Sequence, residues 1–188
     1  MKTKLAFLIL IATFATTAHA SKTILPDACG DEKVQFDIQT KKDQPAPAAP
    51  EEGKAQIVFI ETFRQIGHLG TPEARFGMDG AWVGADKGKS YFAISVAPGV
   101  HHLCANWSKS ADVTSITAEA GKTYYVEANI CNCRTGGAMV MGAAAPGQAP
   151  PMIVGGARTD ASFELHLLTE DEGKYRVKAS PVSVSNTH

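Results

Sequence analysis

No stretch of this 188-residue chain is dense in lysine and arginine, and its 18 basic side chains are set against 19 acidic ones. The electrostatic footprint that nucleic acid demands is therefore missing. There is no Gly-x-Ser-x-Gly nucleophile elbow and no Cys-x-x-Cys redox pair. No glycine-rich loop has the lysine and strand-to-helix setting that phosphate binding needs. A nucleophile requires an adjacent base with its own orienting partner, so these absences predict a chain that is not an enzyme and carries no cofactor. No segment of ten or more residues repeats with a helical period, which removes the helical bundles. Cysteine is held to four residues and tryptophan to two.

What is present begins with a leader. Lys2 and Lys4 precede an uncharged apolar run from Leu5 to Ala15, and Ala18-His19-Ala20 has the small-x-small form that signal peptidase accepts. The apolar run is short of the roughly 20 residues that span a bilayer, so residues 1–20 are expected to be cleaved and to leave a periplasmic or secreted protein with no stable membrane anchor. The remaining 168 residues carry 16 basic and 19 acidic side chains, enough chain for one domain with a core.

"KVQFDIQT", Lys33 to Thr40, alternates Val34, Phe36 and Ile38 with polar residues, the pattern of a strand with one buried face. The segment 21–40 is thus expected to hold an isolated strand. The proline- and alanine-rich residues 41–54 read as a linker, residues 55–183 as the main domain and 184–188 as a tail. Within 55–183, short apolar or alternating segments are broken by turn signals at Asp79-Gly80, Asp86-Lys87-Gly88, Pro98-Gly99, Ala120-Gly121 and Glu172-Gly173. That spacing predicts an all-β, antiparallel sandwich. Thr135 to Ala157, built from glycine, alanine, proline and methionine, suits neither strand nor helix and is expected to be a long loop.

The run "FGMDGAWVGADKGKSYFAISVAPGVHHLCANW", with "ITAEAGKTYYVEANI" and "LHLLTEDEGK" after it, resembles an exported bacterial family catalogued as domain of unknown function 2846. The resemblance covers residues 55 to 180. It implies a β-sandwich of immunoglobulin or transthyretin-like type in the cell envelope and supplies no catalytic residue. The N-terminal strand, the four cysteines and the long loop fall outside the family's pattern.

The chemistry-bearing residues cluster in "VHHLCANW" and "ICNC". If Leu103, Ala105 and Trp107 face the core, His102, Cys104 and Asn106 take the opposite face. If Tyr124, Val126, Ala128 and Ile130 face the core, Tyr125, Glu127, Asn129, Cys131 and Cys133 face away. Cys131 and Cys133 are too close in sequence for an unstrained bridge, so in an oxidising compartment Cys29 and Cys104 are expected to divide them, pinning the N-terminal strand to the sheet. Each such bridge contributes on the order of 3–5 kcal/mol in the chain-entropy model.

The alternative is a copper or zinc carrier. His102, Cys104, Cys131 and Cys133, with Met139 and Met141 and further Met152 from the loop, offer soft ligands suited to Cu(I). Against it, Cys-x-Cys is not the usual zinc spacing, and His101 and His102, being adjacent on a strand, point to opposite faces. His166 falls on an alternating strand and reads as an exposed or edge residue. Trp82, Tyr91, Trp107, Tyr124 and Tyr125 are the candidate contact aromatics, some of them at the surface. The resulting expectation is a non-catalytic envelope module that binds an unknown envelope protein or small ligand, or serves a structural role.

Overall fold

The computed structural model describes residues 25–63, 71–131 and 162–188. The leader (1–20), Cys133, and the loop 135–157 with Met139, Met141 and Met152 lie outside them. Ten strands are described, arranged in two packed sheets. The first sheet has six strands in the order β1 (Phe36–Lys41), β10 (Val182–Thr187), β5 (Tyr91–Val96), β2 (Ala55–Glu61), β8 (Thr123–Cys131) and β9 (Ser162–Leu168). The second has four, in the order β4 (Ala81–Lys87), β3 (Glu73–Met78), β6 (Gly99–Trp107) and β7 (Ser110–Ala118). The expected all-β sandwich is the observed architecture.

Alternation builds the core. Ile57, Phe59, Val126 and Ala128 of the first sheet meet Phe76, Leu103, Ala105 and Ile116 of the second in one buried cluster. Phe59 anchors it, with ring centroids 4.9 Å from Phe76 and 5.1 Å from Phe92, spacings at which aromatic pairs attract beyond simple burial. Every residue of β2 is buried. The unbroken apolar run "IVFI" shows why: Ile57 and Phe59 face the sandwich core, while Val58 and Ile60 face a second cluster with Tyr91, Tyr125 and Val177.

Val177 belongs to a helix the sequence reading did not predict. Glu172-Gly173 reads as a turn signal; instead α1 runs Glu170–Lys178. Its start is a capping box, in which the Thr169 hydroxyl accepts from Glu172 N–H and the Glu172 carboxylate accepts from Thr169 N–H. Thr-x-x-Glu is the signature of such a start. At nine residues the helix is too short for a periodicity search to register, and packing on Tyr125 and β8 holds it.

Two further expectations are corrected. The sheets are not wholly antiparallel: β2 and β8 run parallel over six residue pairs, and β10 meets β5 in parallel. Turn signals report hairpins between neighbours in sequence, and neither pair is joined by one. The tail at 184–188 is strand through Thr187, in an antiparallel ladder with β1 that runs from Phe36↔Thr187 to Lys41↔Val182. Through that ladder β1 joins the first sheet.

Side chains close two of the strand edges. On β4 the Ala85 N–H donates to Ser185 Oγ (3.0 Å) and its carbonyl accepts from Ser183 Oγ (2.8 Å). On β9 the Leu165 N–H donates to Asp112 Oδ2 of β7 (2.8 Å). Groups that would otherwise template another strand are thereby occupied.

Candidate functional site

The second sheet carries His101, His102 and Cys104 on β6, part of the set singled out from the sequence. At the β3–β4 hairpin, Asp79 and Gly80 both have positive φ, 51° and 88°, as a two-residue turn that matches strand twist requires. Asp79 then organises the neighbouring strand. Its N–H donates to His102 O (2.9 Å), its Oδ1 accepts from His102 N–H (2.8 Å), and its Oδ2 lies 2.7 Å from His101 Nδ1. His101 Nε2 lies 2.8 Å from Ala97 O. The hydrogen bond to Asp79, with the Ala97 carbonyl behind it, raises the His101 pKa, and the same bond, with the His102 N–H, holds the Asp79 carboxyl below its usual range. His101 and His102 face opposite sides of β6, as adjacent strand residues must; His102 is exposed.

Beside this turn a strap formed by residues 26–35 crosses the sheet. Cys29 is bonded to Cys104 with a Cα separation of 5.2 Å. Gly80 N–H donates to Ala28 O (3.2 Å) and Trp82 Nε1 donates to Asp31 O (2.7 Å). Arg75 Nη1 reaches Val34 O (2.9 Å) and Glu32 O (3.2 Å), while Nε donates to Asn106 Oδ1 (3.0 Å). The Arg75 guanidinium also lies 4.6 Å from the Trp82 ring centre, a favourable cation–π placement. Asn106 in turn donates to Ser110 O (2.9 Å). The strap approaches so closely that a Cβ on Gly77 would stand 3.0 Å from Ala28 O and Cys29 Cα.

This geometry corrects the expected pairing of the cysteines. Alternation placed Cys104 opposite Leu103 and Ala105, and that holds. The opposite face, however, is covered by the strap, so Leu103, Cys104, Ala105 and Asn106 are all buried. Cys104 takes Cys29 as its partner and is not shared with Cys131 or Cys133. Cys131 ends β8, paired with Ser162 in the six-stranded sheet, whereas Cys104 lies in the four-stranded one; the outward faces of two stacked sheets look away from each other. The side chain of Cys131 and all of Cys133 lie outside the description.

The bridge also bears on the carrier's ligand set, because a disulfide sulfur is not the thiolate a metal requires. Among the described residues, no group of three or more His, Cys, Asp or Glu is placed to hold a metal ion. The candidate contact aromatics are largely covered. None of the five is exposed: Tyr91 and Tyr125 are buried, and Trp82, Trp107 and Tyr124 are half-buried. Among the described residues, the exposed aromatic is Tyr175 of α1. His166 sits exposed on β9, with Nε2 3.3 Å from Glu164 Oε2.

Where the strap ends, the sheet face opens. Pro26, Asp27 and Ala28 form one wall of a groove of about 620 Å³, and Asp79, His102, Val113 and Ser115 line the rest. Val113 is 48% exposed there. Sequence reasoning missed Arg75, whose partners Asn106 and Val34 lie 31 and 41 residues away, and the bond from Trp82 to Asp31, 51 residues away; no local pattern encodes such contacts. In comparisons with protein-family models, curated proteins and solved structures, nothing matches this chain.

Proposed function

We propose that this chain is a non-catalytic module of the cell envelope, periplasmic or secreted, that binds a partner or serves a structural role. The observation that carries the reading is the buried Cys29–Cys104 bond fastening the strap across the second sheet. Structural disulfides belong to oxidising compartments, and the leader-like residues 1–20 would deliver the chain to one. In this reading the bridge secures the N-terminal segment that leads into β1, and the domain is of immunoglobulin or transthyretin-like type, related to the exported family it resembles. The groove beside His102 and Val113 is the contact surface.

Two of the groups capable of chemistry, His101 and Asp79, are engaged in structure. His101 has both ring nitrogens at acceptors, and Asp79 serves the turn. The copper or zinc carrier is the weaker reading, because it needs Cys104 as a thiolate. Thiol titration with metal analysis, on protein exported to an oxidising compartment, separates the two. The binding module predicts no labelling of Cys29 or Cys104 and no stoichiometric metal. Labelling of both, with about one equivalent of bound copper or zinc, would establish the carrier.

A further inference from the structure

Two carboxylic acids are buried where the sheets meet. Glu61 ends β2 and Asp86 lies near the end of β4, so they come from different sheets, and both are 0% exposed. Each has one oxygen engaged. Gly88 N–H donates to Glu61 Oε1 (3.2 Å) and Ser90 Oγ donates to Asp86 Oδ1 (3.3 Å). The other two oxygens, Glu61 Oε2 and Asp86 Oδ2, are buried with no hydrogen-bond partner among the described residues.

Among the described residues, the groups around them offer no compensating positive charge. From β3 come the Ala74 N–H and the negative field of Glu73, and from β10 the Ser183 hydroxyl. Lys87, adjacent to Asp86 in sequence, has its ammonium on Glu73 at the surface. No cation among the described residues forms an ion pair with either acid. An unpaired buried carboxylate is so unfavourable that the group takes up a proton instead. Calcium or magnesium would want six or more oxygens, whereas a proton needs only an acceptor, and free acceptor oxygens are what the pair presents.

We propose that Glu61 and Asp86 form a proton-held latch between the two sheets, carrying at least one proton at neutral pH and releasing this end of the sandwich when it is lost. The directions of titration agree. Burial, then the charge of Asp86, pushes Glu61 up to about 9, and burial pushes Asp86 well above the usual carboxyl range against the pull of the Ser183 and Ser90 hydroxyls. Both folded values exceed the unfolded ones, so the latch's contribution is complete below the ordinary carboxyl range and falls as pH rises toward about 9. Each proton kept by the folded state and released by the unfolded one weakens folding about tenfold per pH unit. Gly88 N–H hangs on Glu61, and Ser90 bonds both Asp86 and the Lys87 N–H (3.0 Å). Opening therefore starts at the β4–β5 corner.

The test uses the full mature chain and its E61Q and D86N variants, which keep shape and remove the titrating group. At neutral pH, infrared spectra of the wild type should show a protonated-carboxyl stretch that each variant reduces or removes. Urea unfolding between about pH 6 and about pH 9 should weaken the wild type at least tenfold more than either variant. The absence of that stretch in the wild type overturns the latch, as does an identical pH slope in all three proteins. A calcium-dependent rise in melting temperature of the wild type that E61Q lacks also overturns it, since the pair would then be a cation site. If the variants fail to fold, the wild-type infrared spectrum alone decides.

Discussion

Both ring nitrogens of His101 face acceptors, Asp79 Oδ2 at 2.7 Å and Ala97 O at 2.8 Å. The ring satisfies both only by donating from each, which makes it the imidazolium. Its folded pKa is raised, so its contribution to stability is complete below about pH 6.5, the unperturbed histidine value, and is lost as pH rises through the folded one. D79N keeps a residue that tolerates positive φ and removes the charge. It should bring the His101 midpoint back toward the ordinary value in an NMR titration; an unmoved midpoint would show that Asp79 is not the cause. Part of this was legible. Asp-Gly between alternating segments encodes the turn, and adjacency on a strand separates His101 from His102. The partner of Cys104 was not, because alternation says which face a side chain takes and not what covers that face.

Two elements depend on close approach. α1 lies on β8 because residue 173 has no side chain: a Cβ there would stand 2.0 Å from Tyr125 Cγ. G173A should therefore destabilise the protein by about 1–3 kcal/mol through overpacking, measured by urea unfolding, and an unchanged midpoint would mean that the helix does not seat on Tyr125. T169A, which removes the hydroxyl of the capping box, should cost about 1 kcal/mol in the same assay. The strap is held mainly by backbone carbonyls that accept from Arg75 and Trp82, and by one covalent bond that closes 75 residues of separation. Chain entropy gives that bond about 4–5 kcal/mol, so the C29S/C104S double variant should lose stability of that order. The alternation of Val34, Phe36 and Ile38 made β1 legible, but not the strap that precedes it. Its path over the second sheet is set by side chains from β3, β4 and β6, which the local sequence of the strap does not contain.

Across the whole molecule, the hydrophobic pattern sorts residues between core and surface, and it was enough to identify a sandwich. It did not identify the parallel β2–β8 pair, since period-two alternation is the same for either direction of pairing. Nor did it show that β4 and β9 would be closed by Ser183, Ser185 and Asp112. The titrating groups at the latch and at His101 share a sign: both favour the folded state in their protonated forms. Asp79, held low, works the other way, its contribution fading as pH falls through its lowered value. The protein should accordingly be firmest in mildly acidic solution and soften toward alkaline pH, as melting curves across that range would show. What unites strap, turn and groove is the bond at Cys104, and peptide mapping without reduction tests it directly. Mature protein recovered from an oxidising compartment should yield a linked pair of peptides containing Cys29 and Cys104. Linkage of either to Cys131 or Cys133, or recovery of either as a free thiol, would contradict the account.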